Sequence, residues 1–466
     1  MIDLSTPDTL LYDSAVLSSY IRKNTKESFG YIFFDNIDYI TKLYNDNRMR
    51  DVTYKNVLDT ILCGFIYLGF DTYECPDCGF ETTIPHTCKS RFCSKCAAKS
   101  AKQRSISISA MTFSCKHRHI VFTVAQELRD YFIRDRSLLD LLFIASRNTI
   151  SALANDAKFR KNKRLEKHRK LRKSSSPYLY KDTKDDNVVF GAISTLHTFG
   201  RPLEFNPHIH MLVCQDALNL RKDCIKSLAY MDFNKLRKTW MFQILDLLDR
   251  KINTRQFHAL KNSLYKNYPD GFYVYAKEPK KDQSEDDVDD TVAYITRYTN
   301  RPVMAESRIV EYNDTTKMIH WFYNRHEDDK RIDVTERVER FIQKVIRHCP
   351  DENFKMTRYY GFYSNRSTRH YNRMAELLAH KQKKETQYKK ERQAIAKIQI
   401  QKTHFRYFMI QSFQRDPIKC RCGMIMNYAE TYNPFEGGRK NDIPYKERCI
   451  YTSKYLRSQT INARRS

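Results

Sequence analysis

Hydrophobic and polar residues alternate along a ten-residue stretch near the middle of the chain, FNPHIHMLVC at 205–214. Alternate residues of a strand lie on the same face, so this pattern predicts a strand with His208 and His210 on one face and Ile209 on the other. The stretch VVFGAISTLHTF at 188–199 predicts another strand. The short RPLE link between the two stretches favours a hairpin.

The rest of the pattern predicts a mixture of helices and strands. GFYVYAKEP at 271–279 predicts a strand, and TVAYITRYTNRP at 291–302 predicts a short helix that ends before Pro302, because proline cannot continue a helix. Other expected elements are helices over 1–62 and 97–112, a strand and then a helix over 117–128, a basic arm or a merely solvated insertion over 158–173, an acidic loop over 282–290, and a long exposed helix over 380–402.

Composition adds the class of partner. The chain has 466 residues and a formal net charge of +27, which favours a polyanionic partner, most often nucleic acid. A basic ribosomal or membrane-surface protein is the alternative. The N-terminus does not match a signal peptide and no apolar run reaches 18 residues, so we expect a cytoplasmic protein without a membrane span. In such a chain, the 13 cysteines are expected as metal ligands or reduced core residues.

Two Cys-x-x-Cys pairs form a cysteine-dense block, Cys75/Cys78 and Cys93/Cys96. Each pair can present two thiolates to one ion, so the spacing predicts a four-cysteine structural zinc site without an open position for water. Cys88 and His86 are alternates for one of these ligands, or partners of a second ion; the basic residues in and after the block, including Lys89 and Arg91, indicate a DNA-facing surface.

A second cysteine pair, Cys420 and Cys422, lies near the C-terminus. The nearest later cysteine is Cys449, and a tetrahedral site needs four partners. We therefore expect no zinc at this pair.

The histidines of the predicted hairpin form a second candidate metal site. His197 precedes His208 by 11 residues, so pairing of the two strands would bring it beside His208 and His210. A lone His-x-His is more often structural, but three imidazoles on one sheet face would bind a divalent ion with open coordination positions. Such an ion could polarise a phosphodiester oxygen.

A nucleophile for that site is found in the predicted helix at 291–302. Tyr294 and Tyr298 are spaced i, i+4, which places both hydroxyls on one helix face. Ordinary helix packing explains this spacing by itself, but tyrosine can also attack phosphorus covalently. The interleaved Arg297 and Arg301 favour DNA as the substrate.

Together, these motifs resemble the two-tyrosine HUH transposases of rolling-circle insertion sequences, the insertion-sequence-91-like group. The similarity runs in consistent order from about 60 to 366, although CQDALN after the histidine strand lacks the glycines expected there. It is carried by CPDCGF…TCKSRFCSKC, HIVFTVAQEL, LHTFGRPLEFNPHIHMLV, GFYVYAKEP, AYITRYTNRPVMAESRI and RHCPDENFKMTRYYGFYSNR.

The resemblance implies an α+β fold. An HUH endonuclease domain, a ferredoxin- or RRM-like antiparallel sheet flanked by helices, would follow an N-terminal zinc-binding domain and precede a helical, basic C-terminal region. The expected divisions are an N-terminal helical region (1–62), a zinc-binding DNA-contact domain (63–110), the catalytic domain (111–310), an accessory segment (311–375) and the basic C-terminal region (376–466).

The resemblance also implies an activity. It predicts a Mg²⁺- or Mn²⁺-dependent endonuclease and strand transferase that acts on single-stranded DNA ends of a bacterial mobile element, in the cytoplasm and associated with the nucleoid. His208 and His210 would be metal ligands, with His197 as the third, since relaxases of the same fold use a histidine on the neighbouring strand. Tyr294 and Tyr298 would be the nucleophiles, and Arg297, Arg301 and Arg308 would hold phosphates.

Three other functions fit these motifs less completely. An HUH replication initiator or relaxase would use the same chemistry at a plasmid origin, although the zinc block argues against it. A zinc-dependent DNA-binding regulator would have no catalytic activity. A decayed transposase is disfavoured because each predicted catalytic residue is present.

Overall fold

The computed structural model describes residues 26–65, 68–90, 92–113, 115–155, 188–228, 232–276, 303–325, 328–381, 406, 409–410 and 416–432. Several predicted segments lie outside these described residues: 1–25, the basic arm, the acidic loop, the tyrosine helix at 291–302, and 382–402.

The helices and strands are numbered in chain order. They are α1 (Phe29–Asp35), α2 (Ile37–Asn45), α3 (Asp51–Ile61), β1 (Phe70–Glu74), β2 (Glu81–Pro85), α4 (Ser94–Met111), β3 (His117–Thr123), α5 (Arg129–Arg134), α6 (Leu139–Ala154), β4 (Val188–Val189), β5 (Gly191–Phe199), β6 (Phe205–Cys214), β7 (Asp216–Asn219), β8 (Cys224–Ser227), α7 (Phe233–Ile252), α8 (Arg255–Asn267), β9 (Val274–Ala276), β10 (Ile309–Asn313), β11 (Met318–Asn324), β12 (Arg331–Arg337), α9 (Val338–Ile346), β13 (Thr357–Gly361), α10 (Thr368–Lys381) and β14 (Asn427–Tyr432).

A five-stranded antiparallel sheet forms the centre of the protein, in the order β13-β5-β6-β3-β9. The predicted hairpin is confirmed: β5 pairs with β6, and His197 lies directly opposite His208. The Gly200 N–H donates to the Glu204 carbonyl and closes the link between the two strands. The α+β class predicted from the sequence is also confirmed.

One face of this sheet is covered by helices. Alternate residues of β6, such as Ile209 and Met211, are fully buried on this face, where α6 and α7 contribute to the same core. The Trp240 ring of α7 lies 4.9 Å from that of Phe122, and its Nε1 donates to the Thr123 carbonyl. Each fully buried apolar side chain stabilises the fold by roughly 1.5 to 3 kcal/mol, so this face holds the sheet in place.

The opposite face of the sheet is divided into two ends. At one end, Leu212 and Cys214 of β6 are buried with Phe362 and with Met374 of α10. At the other end, β6 carries its two histidines. The imidazoles therefore occupy the part of the sheet that neither hydrophobic cluster fills.

The N-terminal helices belong to a second core. α1, α2 and α3 pack with the sheet β10-β11-β12 and with α9, and Trp321 and Phe341 are both buried there. Trp321 Nε1 donates to Glu336 Oε1 at 3.0 Å, and Lys344 Nζ contacts the same carboxylate. Segments that the sequence analysis assigned to separate regions, 1–62 and 311–375, thus share a core.

A third, small sheet joins distant parts of the chain. β1 pairs with β2 on one side and with β14 on the other, and Thr72 lies opposite Glu430. The pairing brings a C-terminal strand to the cysteine-dense block.

Helices and strands predicted locally agree with the structure. The helix expected over 97–112 is α4, the strand and helix expected over 117–128 are β3 and a 3₁₀ turn that leads into α5, and the strand within 271–279 is β9. Of the described residues, Arg136–Ala154 is a helical stretch long and apolar enough to cross a membrane, and 67% of it is buried inside the protein. Such burial is expected of a core helix.

Gly361 provides a test of the central sheet. It has a φ of +58°, and a methyl group on it would lie 1.5 Å from the Phe190 carbonyl oxygen. We expect Gly361→Ala to lower the free energy of unfolding by about 3 kcal/mol or more, because both the left-handed backbone and the neighbouring strand oppose the side chain.

The matched control is Gly30→Ala in α1, where the nearest atom would lie 3.5 Å away. Alanine is favoured over glycine in helices by up to about 1 kcal/mol, so this variant should unfold at the wild-type temperature or slightly above it. Thermal unfolding measures both; equal midpoints for the two variants would contradict this account of Gly361.

Candidate functional site

Three histidines meet at the end of the central sheet that neither hydrophobic cluster fills, and two of them, His197 and His210, are buried. One ring nitrogen from each of His197, His208 and His210 lies within 4.8 Å of those of the other two. The Nε2 atoms of His208 and His210 are 3.1 Å apart. The structure therefore brings together all three imidazoles that the sequence nominated.

The backbone orients the ring of His208. Its Nδ1 lies 2.7 Å from the Asn206 carbonyl oxygen, which can only accept a hydrogen bond, so Nδ1 carries the proton. In the neutral ring, Nε2 then presents a lone pair toward His210. Burial lowers the pKa of His208, and nearby Arg129 contributes to the same shift, which favours this neutral form.

A fourth histidine, His119 of β3, supports the cluster and was missed by the sequence analysis. Its Nε2 lies 2.9 Å from His210 Nδ1, and the two rings stack with centroids 5.2 Å apart. Burial lowers the pKa of His119 to about 4, with a further contribution from His208, so the ring is neutral near pH 7 and its Nε2 can accept a hydrogen bond from His210 Nδ1. The signal was present as a second His-x-His, in HRHIVF.

The other member of that motif, His117, belongs to the core instead. Its Nδ1 donates to the Cys115 carbonyl at 2.7 Å, which leaves Nε2 to accept from the Tyr363 hydroxyl at 2.8 Å. His117 also lies near the thiols of Cys115 and Cys214. Since both ring nitrogens already have protein partners, this buried group is explained as a hydrogen-bonded part of the core.

The open histidine cluster has suitable geometry for a divalent ion. Two nitrogens about 2.1 Å from one ion lie roughly 3.0 to 3.4 Å apart in octahedral or tetrahedral coordination. The 3.1 Å separation of His208 and His210 falls within this range. Three imidazoles would leave coordination positions for a substrate oxygen, so the residues present fit a divalent ion.

The described structure places two of the predicted DNA-contacting residues. Arg308 ends a 3₁₀ turn before β10, and Lys89 is exposed beside the cysteine block. The remaining predicted residues lie outside the described residues: Tyr294, Tyr298, Arg91, Arg297 and Arg301. Their positions relative to the histidines stay predictions.

The cysteines form two clusters that differ from the predicted set. Cys93 and Cys96 lie with Cys63 and Cys88, whereas Cys75 and Cys78 lie elsewhere. The prediction of one site with both Cys-x-x-Cys pairs is therefore wrong. It failed because Cys63 precedes the block as a single residue in an apolar stretch and offers no spacing motif.

Cys420 and Cys422 complete the other cluster, together with Cys75 and Cys78. The expectation that the C-terminal pair lacks two further partners is also wrong, because the pairing of β14 with β1 brings them from a distant part of the chain. Of the two alternates, Cys88 is a cluster member. His86 instead contacts the Leu68 carbonyl and Asp71 Oδ1, each at 3.2 Å.

The first cluster, Cys63/Cys88/Cys93/Cys96, fits a zinc ion. Three of its sulfur pairs are 3.5 Å apart, close to the roughly 3.8 Å expected for four sulfurs around zinc. Contact with Cys63 raises the pKa of Cys88 well above its ordinary value and lowers that of Cys96 well below it. Four thiolates would need a cation to coexist in this space.

A basic cleft of about 580 Å³ extends from the first cluster toward the sheet. Its lining includes Cys96 at one end and Thr357 of β13 at the other. Thr357 pairs with Thr195, which pairs with His210. Adjacent strands lie about 4.8 Å apart, so the cleft reaches within roughly 10 Å of the histidine strand. Four basic residues line it, Lys55, Lys89, Arg104 and Lys355, against two acidic ones, Asp351 and Glu352.

Comparison with known proteins identifies the class. Residues 191–371 match the family described as "Putative transposase", and residues 35–124 match the family described as "Transposase zinc-binding domain". The chain is 27% identical over 338 residues to "Transposase for insertion sequence element IS801" of Pseudomonas savastanoi pv. phaseolicola, a match that covers 70% of this chain and 73% of that protein.

It is also 22% identical over 321 residues to "Putative transposase y4qJ" of Sinorhizobium fredii, over 66% of this chain and 73% of that protein. No solved structure matches the chain. The chain belongs to the IS91-like family of transposases with an N-terminal zinc-binding domain, which confirms the resemblance. Membership implies a DNA-binding enzyme that cuts and joins DNA strands.

The contact between His119 and His210 leads to a prediction. His119→Phe retains a ring at this position but removes the nitrogen that accepts from His210 Nδ1. Such supporting contacts affect metal affinity by 10- to 100-fold, so we expect Mn²⁺ binding to weaken by about 10-fold or more. Titration followed by electron paramagnetic resonance measures it.

The control is His320→Phe, which removes a half-buried histidine that contacts Asp333. Both residues lie in the sheet β10-β11-β12 of the second core, away from the histidine cluster. This variant should retain wild-type Mn²⁺ affinity. An unchanged affinity in His119→Phe would show that His119 does not orient His210.

Proposed function

We propose that this transposase nicks single-stranded DNA by a metal-dependent reaction and transfers strands through 5′-phosphotyrosine intermediates, in rolling-circle transposition of an insertion sequence. The observation that carries the proposal is the set of three imidazoles that converge on one face of an antiparallel sheet, in a chain of a transposase family. The enzyme would act on bacterial DNA, in the nucleoid.

In this proposal, His197, His208 and His210 hold one Mg²⁺ or Mn²⁺ ion. When bound, the ion supplies Lewis-acid polarisation of a non-bridging oxygen of the scissile phosphate. His119 keeps His210 in the tautomer that directs its Nε2 toward the site. The backbone carbonyl of Asn206 does the same for His208.

The proposed nucleophiles are Tyr294 and Tyr298. The hydroxyl oxygen of one tyrosine bonds to phosphorus while the bond from phosphorus to the 3′ oxygen breaks. The tyrosine proton is lost, the 3′ oxygen leaves as a hydroxyl after gaining a proton, and the 5′ phosphate stays on the protein. The second tyrosine would cleave the next junction or the target. Each 3′ hydroxyl can then attack a phosphotyrosine, so rejoining needs no ATP.

The basic cleft is the proposed path for the strand. It lies between the first cysteine cluster and the central sheet that carries the histidines. The phosphates of a DNA strand would attract the basic residues that line the cleft. Arg129, which is close enough to His208 to lower its pKa, is a candidate contact for the scissile phosphate. Its Nε is buried and makes no hydrogen bond within the described part of the chain. Arg297, Arg301 and Arg308 are further proposed phosphate contacts.

Two other functions remain distinguishable from this one. A replication initiator or relaxase would use the same chemistry at an origin, but the matched transposase zinc-binding domain favours transposition. A DNA-binding regulator would not need three imidazoles converging on one point. Cleavage of element ends rather than origin DNA would exclude the replication initiator or relaxase. A covalent adduct would exclude the regulator.

The decisive experiment detects the covalent intermediate. Labelled single-stranded oligonucleotides from the element's ends are incubated with the protein and Mn²⁺ and run on a denaturing gel. We expect an adduct that survives detergent, that EDTA prevents, and that Tyr294→Phe/Tyr298→Phe abolishes. His208→Ala/His210→Ala should reduce it by at least about 100-fold, as expected for loss of metal catalysis.

The matched control is Tyr273→Phe, because that tyrosine is 58% exposed and has no role in the proposed reaction. It should form the adduct at the wild-type rate. DNA binding should persist in the double tyrosine variant. An adduct that the double variant still forms would overturn the assignment of the nucleophiles.

The cleft can be tested separately through the salt dependence of binding. Each neutralised phosphate contact on a single strand contributes about 0.7 to the slope of log affinity against log salt. Replacing Lys55, Arg104 and Lys355 with alanine should therefore lower the magnitude of that slope by about 2.

A control variant with the same change of charge replaces Arg325, Arg331 and Arg337, which pair with acids in or beside the sheet of the second core. Its slope should stay near that of the wild type. Equal effects of the two triple variants would indicate that net charge alone, rather than the cleft, determines binding.

A further inference from the structure

The second cysteine cluster joins two distant parts of the chain. Cys75 and Cys78 follow β1, and Cys420 and Cys422 lie just before β14. The Sγ atoms of Cys75 and Cys422 are 3.5 Å apart although 347 positions separate them, and those of Cys78 and Cys420 are equally close. The family match for the zinc-binding domain ends at residue 124 and includes only the first pair.

The sulfur distances distinguish the two kinds of bridge that cysteines form. A disulfide needs sulfurs about 2.05 Å apart. Four sulfurs about 2.3 Å from a tetrahedral zinc ion lie roughly 3.8 Å from one another. The observed 3.5 Å separations are close to the zinc value and far from the disulfide value.

The backbone around the two pairs is built in the same way. Gly79 N–H donates to the Cys75 carbonyl and Gly423 N–H donates to the Cys420 carbonyl, both at 3.0 Å. Both glycines have positive φ, +67° and +97°, and each follows the last cysteine of its pair. Two similar turns, the second one residue shorter, therefore present two sulfurs each, as in a zinc site composed of two knuckles.

The surrounding apolar contacts are too few to hold this junction alone. The buried cluster contains only Cys75, Cys420 and Met426, with Tyr73 and Ile418 packed against it, among the described residues. A core of this size needs a disulfide or a metal for stability. The binding free energy of a structural zinc ion would supply the stability that these few side-chain contacts do not provide.

We propose that Cys75, Cys78, Cys420 and Cys422 bind a second structural Zn²⁺ ion, distinct from the ion of the first cluster, and that this ion fastens β14 to the N-terminal zinc-binding domain. The four thiolates fill the coordination sphere, so the ion has no position for substrate. Its role is to fix a C-terminal segment beside the cysteine block by metal coordination in addition to the ladder between β1 and β14.

The first test uses the wild-type protein and thiol alkylation. Cys78, Cys422 and Cys224 are all exposed, but only the first two belong to a cluster. With zinc present, iodoacetamide should label Cys224 at least about 10-fold faster than Cys78 and Cys422, because thiolates that are bound to zinc react slowly. A chelator should remove the difference. Equal labelling before chelation would overturn the proposal.

The second test counts the metal. In a His208→Ala/His210→Ala background, which removes the histidine site, elemental analysis should find two zinc ions per chain. Cys420→Ser/Cys422→Ser should retain one, and so should Cys93→Ser/Cys96→Ser, while Cys224→Ser retains two. One ion in the background protein, unchanged in Cys420→Ser/Cys422→Ser, would contradict the second site.

Limited proteolysis then reports on the junction. Loss of the second ion should expose 416–432 to protease cleavage in Cys420→Ser/Cys422→Ser, while the central sheet stays resistant. Proteolysis of 416–432 at the wild-type rate in that variant would contradict the fastening role. None of these three tests depends on DNA cleavage, so the result is independent of the proposed phosphotyrosine chemistry.

Discussion

The antiparallel pairing of β5 with β6 is the constraint on which the rest of the site depends. It places His197 opposite His208, and the alternation along β6 sends His210 to the same face. A slip of one residue would turn these imidazoles into the core and expose Ile209 and Met211, which are fully buried. That exposure alone would cost roughly 3 to 6 kcal/mol, a large part of the 5 to 15 kcal/mol that stabilises a typical domain. The hydrophobic face of the strand therefore determines where the polar face places its ligands.

The two faces of the central sheet therefore differ in what covers them. One face is fully covered by helices and keeps the strands rigid. The other is filled by apolar side chains only at the end where Leu212 and Cys214 lie. At the remaining end, His119 and the Asn206 carbonyl orient the imidazoles through their second nitrogens. A histidine cluster built on strands and oriented by neighbouring hydrogen bonds is held more firmly than one on loops.

The sequence predicted what depends on neighbouring positions. The hairpin, the shared face of His208 and His210, and the place of His197 follow from period-two alternation and a short link. The cysteine partners could not be predicted in this way, because Cys63 stands alone in an apolar stretch and Cys420 reaches Cys75 only through the pairing of β1 with β14. His119 was missed for a related reason, since its contact with His210 crosses between strands whose register the sequence does not state.

The same non-local contacts explain how a chain with several small cores forms the basic cleft. The cleft is lined by α3, by α4 of the first cysteine cluster and by 350–357, the segment that leads into β13 of the central sheet. Its width therefore depends on how these three segments are held relative to one another. Phe92, which follows the first cluster's Cys88, is buried against Phe33 of the second core, with ring centroids 5.7 Å apart. The first cysteine cluster thus connects the N-terminal helices to the wall of the cleft, and a structural ion there would fix the distance between the basic residues and the histidines without itself taking part in the reaction.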